Sequence, residues 1–224
     1  MDVVYIVNAT SLIPVVQKQV QTLSFSPISV QMSGTIVGLS TTAQKIVGKD
    51  YMKSHSAIAV MHKITHHSLS PGPELDRLIR KAAEAMQSSL DSCTAQDGIN
   101  VNMRAWVDYE VIQPTTDCVY GQLNPFRYPK VKVAWRDYET GLIPLLIHIL
   151  PSLTASKHIR ARDILVEPFE SYLKKLLLQN NDTSALIAER FKSHIENGIP
   201  FRDIARIEVG QALGLISNVK PAAF

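Results

Sequence analysis

His62, His66 and His67 form the densest group of potential metal ligands in the sequence, and His62 and His66, four apart, would share one helix face. In the H-E-x-x-H zinc-protease pattern a glutamate follows the first histidine as general base; here Lys63 holds that position, and no third ligand is placed nearby. The group reads as loop or surface, and no metal is expected. Nucleophilic hydrolysis lacks its signature too, because no G-x-S-x-G elbow occurs and scattered Ser, His and Asp nominate no triad. Neither G-x-x-x-x-G-K nor G-x-G-x-x-G occurs, Gly34 with Gly38 standing alone, which disfavours a nucleotide phosphate cradle. The carboxylate pairs Asp137 with Glu139 and Glu167 with Glu170 lie among basic neighbours, where solvated faces are the ordinary outcome. No catalytic residue is nominated on these grounds. Cys93 and Cys118 form no C-x-x-C pair and are too few for a disulfide framework, which fits a reducing compartment.

The elements that would position any site belong to a chain of 224 residues, enough for one full domain or two small ones. Its 46% hydrophobic and 19% charged residues exclude disorder. Lys and Arg total 23 against 20 Asp and Glu, a spread-out surplus that makes no footprint for nucleic acid. The start Met1-Asp2-Val3-Val4-Tyr5-Ile6-Val7 has an acid at position two and no basic lead-in, so it is no signal peptide. The longest apolar stretch elsewhere, Leu142 to Leu150, is interrupted by Pro144 and His148 and falls short of the ~20 residues that cross a bilayer. No membrane anchor is expected in the chain as it stands, and the sequons at Asn8 and Asn181 carry little weight without a secretory route.

The pattern is mainly helical. Val3 to Val7 reads as a short β-branched strand, followed by a turn and a short helix through Pro14 to Gln21, while Ser24 to about Ser56 has no clean period and reads as loop with short helical turns. Leu75, Leu78, Ile79, Ala82, Met86 and Leu90, introduced by Pro73 and Glu74, define an amphipathic helix. A second helix runs from about Asn100 to Ile112, with Pro114 expected to kink or end it. Further helices cover roughly Lys130 to Leu150, Ser152 to Leu178 with an interruption at Pro168, and Thr183 to Glu196, the last ending at Asn197-Gly198-Ile199-Pro200. Trp106 and Trp135 sit at spacings that point them inward, for core packing. The last helix begins near Pro200, and Val209 to Ile216 holds only Gln211 as a polar residue, so it should be buried on all sides. The chain stops at Phe224 directly after Pro221-Ala222-Ala223, and the expectation is a fragment whose central helix lacks the half of the fold that encloses it. Asn218, three residues before Pro221, puts a polar side chain beside a freed carbonyl; a ligand approach and a satisfied kink both account for it.

The run Leu213-Gly214-Leu215-Ile216-Ser217-Asn218-Val219-Lys220-Pro221-Ala222-Ala223-Phe224 resembles the distal central helix of the cytochrome P-450 superfamily of haem-thiolate monooxygenases. It is most similar to the branch containing cholesterol 7α-hydroxylase and prostacyclin synthase, where an Asn three residues before a Pro-Ala segment replaces the usual A-G-x-x-T. Tyr5-Ile6-Val7-Asn8 with Ser11-Leu12-Ile13, Leu69-Ser70-Pro71-Gly72-Pro73-Glu74-Leu75, Tyr120-Gly121 with Asn124-Pro125-Phe126, and Leu150-Pro151-Ser152 with Ala161-Arg162 follow fungal members of that branch in order and spacing. The resemblance implies a single partial P-450 domain over residues 1–224, mainly α with a short β element near the N-terminus, ending inside the central distal helix.

By that resemblance the whole protein would use haem, O₂ and electrons from a cytochrome reductase to oxidise a small apolar substrate such as a sterol, lipid or secondary metabolite. It would sit at the endoplasmic reticulum membrane, although an anchorless chain would be cytoplasmic. Trp106, Ser217 and Asn218 are the implied haem contacts, and Leu213 and Gly214 the implied substrate contacts. The family's proximal cysteine lies in an F-x-x-G-x-x-x-C-x-G loop, and neither Ser92-Cys93-Thr94-Ala95 nor Asp117-Cys118-Val119-Tyr120 resembles it; by the same resemblance the family's E-x-x-R salt-bridge segment is expected beyond Phe224. The family often has W-x-x-x-R, whose Arg meets a haem propionate, yet Trp106 is followed four residues on by Glu110, an acid that would repel one. Catalysis by this chain alone is expected to be nil. The alternative is a non-catalytic helical module for binding or interaction on the same scaffold.

Overall fold

A computed structural model describes residues 6–19, 22–23, 26–94, 102–147, 151–178 and 182–217. In chain order the helices are α1 (Ile13–Gln17), α2 (Ser26–Met32), α3 (Thr41–Gly48), α4 (Ala57–Leu69), α5 (Pro73–Thr94), α6 (Met103–Tyr120), α7 (Pro129–Thr140), α8 (Leu142–Ile147), α9 (Pro151–Thr154), α10 (Ser156–Leu178), α11 (Ala185–Glu196) and α12 (Phe201–Ile216). Among the described residues there is no β-strand: Ile6 and Val7 are irregular, and the rest of the expected strand, Val3 to Tyr5, lies outside them. The stretch expected as loop with short helical turns is more helical than that: it forms α2, a π-helical turn at Ser33–Val37, and α3. Its helices are short, and a period needs several turns before it stands out.

Side-chain caps start three of these helices. Ser40, Ser56 and Ser184 each accept a hydrogen bond from the amide three residues on, at 3.2, 3.2 and 3.4 Å, satisfying donors that the first turn leaves free. The expected helix from Lys130 to Leu150 breaks at Gly141, which separates α7 from α8. Both internal prolines stay inside helices: α6 runs through Pro114 to Tyr120 and α10 through Pro168 to Leu178. A mid-helix proline costs about 3 kcal/mol. Around Pro168, Leu165, Val166, Phe169, Tyr172 and Leu173 are buried, each contributing roughly 1.5–3 kcal/mol, so burial outweighs the lost hydrogen bond.

The core centres on α10, which packs against α7 on one side and α12 on the other. Aromatic rings fill the junction edge to face: Phe126 on Trp135 at 5.0 Å, and Tyr120 on Tyr172 and Phe169 at 5.5 and 5.6 Å. Trp135 is fully buried here, as its spacing led one to expect. On α12 the Ala205, Val209, Ala212 and Ile216 face is also fully buried, whereas Gly214 is exposed and Ile207, Leu213 and Leu215 are half-buried. The described length of α12 is therefore sheltered along one face, while the apolar side that carries Ile207, Leu213, Gly214 and Leu215 is half-buried or exposed, so the helix is not enclosed all round. Short apolar side chains at 205, 209 and 212 let α10 approach closely enough to cover the sheltered face.

A buried polar network joins α6, α11 and α12. Arg190 and Glu208, with side chains 2% and 4% exposed, pair at 3.4 Å. Arg190 Nη2 also donates to Gln211 Oε1 at 2.6 Å, and the Tyr120 hydroxyl donates to Glu208 Oε1 at 2.9 Å. Burial, then the Glu208 carboxylate, pushes the Tyr120 hydroxyl well above its usual range, so it stays a donor. The Tyr172 and Thr183 hydroxyls bond to each other, and Thr183 reaches the Tyr120 carbonyl at 3.3 Å, tying the start of α11 to the same cluster.

Removing one partner of a buried pair leaves an uncompensated charge, so Arg190→Met is expected to lower stability by about 3–5 kcal/mol. Adding Glu208→Leu removes that charge and should recover most of the loss. Urea denaturation of the single and double variants measures both, and a double variant no more stable than the single would contradict the account.

Candidate functional site

The π-helical turn and Gly38 are held from three sides. Gly38 has φ of +75°, and a β-carbon there would lie 2.4 Å from the Arg162 guanidinium carbon, so glycine meets both the backbone and the packing demand. Arg162 on α10 donates to the Thr35 carbonyl at 3.1 Å, and the Tyr138 hydroxyl on α7 donates to the Ile36 carbonyl at 3.3 Å. From α12, Asp203 accepts the Ser40 amide at 2.9 Å and the Ser40 hydroxyl at 2.6 Å. Burial raises the Asp203 carboxyl, but the hydrogen bonds from Ser40 and Arg206 outweigh it and hold the group below its usual range. Farther along α12, Gly210 meets Val37: a β-carbon on Gly210 would stand 2.6 Å from Val37 Cγ2.

These anchors shape a cavity of about 310 Å³ between the 29–39 segment, α3, α4, α11 and α12. Its size falls at the lower end of the range for small-molecule sites. On α12 the wall is Ile207, Gly210, Gln211 and Gly214, one face at helical spacing; on α4 it is Ala57, Ile58, Met61 and His62. Met32, Val37, Leu39 and Ile199 make the lining largely apolar, and the exposed His62 and Gly214 belong to its outer part. No charged side chain lines it.

His194 is the buried polar residue of that wall. It lies four residues after Arg190, on the same face of α11, and is 5% exposed. Its Nε2 has no hydrogen-bond partner among the described residues. Burial, then the neighbouring Arg190 charge, pushes its pKa down from 6.5 to about 4, so it is neutral at physiological pH.

Among the residues expected to form a site, Gly214 borders the cavity, with open space beside it. Leu213, its neighbour, packs half-buried against the core. Ser217 ends α12 and its hydroxyl donates to Glu139 Oε1 at 2.6 Å, so it ties α12 to α7. Trp106 is half-buried on α6 and is not among the cavity residues. Asn218 lies outside the described residues. The histidines at 62, 66 and 67 are exposed on α4, and no metal-holding cluster occurs among the described residues. His194, Gln211 and Gly210 were not nominated from sequence; the available signal was the glycine pair four apart and the Arg190/His194 pair four apart.

The haem of the resembling family needs a thiolate, and the described residues do not fit it. Cys118 is buried on α6 with its thiol donating to the Thr115 carbonyl at 3.0 Å. Burial, then the adjacent Asp117 carboxylate, pushes that thiol up to about 11, which keeps it protonated. Cys93 lies on α5, and its side chain is outside the described residues.

The unfolded chain takes up a proton at His194 near pH 6.5, whereas the folded chain does so only near pH 4. Stability therefore rises with pH across that window: the contribution is fully present above it and is lost as pH falls through it, about 3 kcal/mol in all. Urea midpoints between pH 4 and 7.5 should show this slope in the wild type and a shallower one in His194→Phe. Equal slopes would refute the assignment.

No family model matches the chain, and no solved structure matches it. Among curated proteins, a cytochrome P-450 monooxygenase of Hypoxylon pulicicidum, nodJ, is 28% identical over 221 residues, which cover 98% of this chain and 41% of that protein. The chain thus spans about two fifths of the length of the relative it matches, and it is a distant relation of a cytochrome P-450 monooxygenase along almost all of its own length.

Proposed function

We propose that the chain is the N-terminal to middle part of a haem-thiolate monooxygenase of the cytochrome P-450 superfamily, in the branch containing cholesterol 7α-hydroxylase and prostacyclin synthase. The observation that carries the superfamily part of this reading is the 28% identity over 98% of the chain; the branch rests on the Asn218-to-Pro221 spacing. The apolar cavity against α12 supports it, because such a pocket suits a small apolar substrate. Residues 1–224 are read as one partial domain, with Gly214 and Leu213 on the substrate side and Trp106, Ser217 and Asn218 as proposed haem contacts. Ser217 can serve only while keeping or exchanging its bond to Glu139.

Haem, when bound, supplies oxygen activation with electrons from a reductase. The described residues contribute no thiolate to it, and their part is to bind and orient the substrate and to exclude water from the apolar cavity. A membrane-bound setting at the endoplasmic reticulum belongs to the same proposal, while no helix among the described residues is long and apolar enough to cross a membrane. A second reading, a non-catalytic helical binding module, is favoured by the burial of the α12 face within this chain.

Haemin reconstitution separates the two. The purified chain alone should give no thiolate-type Soret band after reduction and carbon monoxide binding. A fusion that adds the part of the Hypoxylon relative not matched by this chain should give it. A soluble, cooperatively folding fusion that takes up no haem overturns the monooxygenase reading in favour of the module, and a thiolate-type band from the chain alone overturns the expectation that it is inactive by itself.

A further inference from the structure

We infer that the cavity against α12 selects an uncharged apolar molecule bearing a single hydroxyl, with His194 as the residue that hydrogen-bonds that hydroxyl. The inference names the ligand class of the site proposed above and rests on that cavity being where substrate is held. Its starting point is an imbalance: an apolar cavity has a buried imidazole in its wall whose Nε2 is unpartnered among the described residues. A buried polar atom without a partner costs free energy that a ligand group can recover.

The surroundings restrict that ligand. The Arg190 charge near His194 is already engaged by Glu208 and Gln211, so it is not available to bind an anion. A cation would be repelled by Arg190 and would lose its hydration in a lining that offers no carboxylate. Neutral imidazole has one donating and one accepting nitrogen, and a hydroxyl can answer either, so the match does not depend on which tautomer is present. At ~30 Å³ per water-sized group, the cavity of about 310 Å³ holds on the order of ten heavy atoms. Gly214 leaves open space on the α12 side, while Gly210 makes room for Val37. The lining also holds Ser29, Ser33, His62 and Gln211, but these are half-buried or exposed, and Gln211 Oε1 accepts from Arg190; His194 is the buried polar residue of the lining, with an unpartnered nitrogen among the described residues.

Primary alcohols and alkanes of matched length test this on the whole chain, free of haem. Methyl-labelled methionine reports occupancy directly, since Met32 and Met61 both line the cavity. 1-Octanol should shift both methyl resonances and bind at least tenfold more tightly than octane. His194→Phe should bring the two affinities together, while His194→Gln, which keeps a hydrogen-bonding group, should retain the preference. Ring ¹⁵N resonances of His194 in the wild type need no variant to fold, and they should move with octanol and stay with octane. Equal binding of both probes, a preference that survives His194→Phe, an unmoved His194 ring at saturating octanol, or no methyl shift with either probe overturns the inference. Alcohol selectivity in a chain whose fusion takes up no haem would remove the monooxygenase reading and leave the ligand class standing; haem uptake without alcohol selectivity would do the reverse.

Discussion

Glu208 is a carboxylate sealed inside the protein, and three elements are placed by the need to keep it paired. Arg190 reaches it from α11, Tyr120 from the end of α6, and its own helix supplies Gln211, which accepts from Arg190 Nη2. An ion this deeply buried without partners would cost several kcal/mol, so α11 and α6 cannot slide along α12 without a large penalty. Apolar packing alone sets approximate distances; the directional bonds of this network set which residue of α11 faces which turn of α12.

That register has consequences one turn away. With Arg190 held against Glu208 and Gln211, the next residue on the same α11 face is His194, which is thereby carried to the wall of the cavity. Burial disfavours protonation of His194, and the positive charge that neutralises Glu208 adds to it, so the structural pairing reinforces the neutrality of the cavity wall. On the opposite wall, the π-helical turn is held by Arg162 and Tyr138, and Ser40 just beyond it by Asp203, three side chains from three helices. Extra-wide turns of this kind often sit beside functional sites, because they aim backbone groups away from the helical ladder.

Relation to a cytochrome P-450 monooxygenase and a buried α12 face are compatible. A chain spanning 41% of its relative can still enclose part of a helix, because α10, α11 and the 33–40 segment pack on it from within the chain. The thiol of Cys118 illustrates the complementary point. Burial keeps it protonated and bonded to the Thr115 carbonyl, so it acts as a packed side chain of α6.

Much of the helical layout was legible in the residues themselves. The 3.6-residue apolar period with Pro73 and Glu74 located α5, the Asn197-Gly198 stop located the end of α11, and Pro200 located the start of α12, because caps and amphipathic stripes are local properties. The absence of any cysteine in a haem-ligand loop was equally a matter of sequence. Three-dimensional packing settled the rest. Pro114 and Pro168 do not break their helices because the burial around them exceeds the cost of a missing amide, a balance that no local window contains. The candidate site is assembled from residues 29–39, Val47, and residues 57–62, 194–199 and 207–214, which share no period and no motif. They meet because Arg190 finds Glu208 and Ser40 finds Asp203, contacts between distant residues whose energy exists only once the helices have docked.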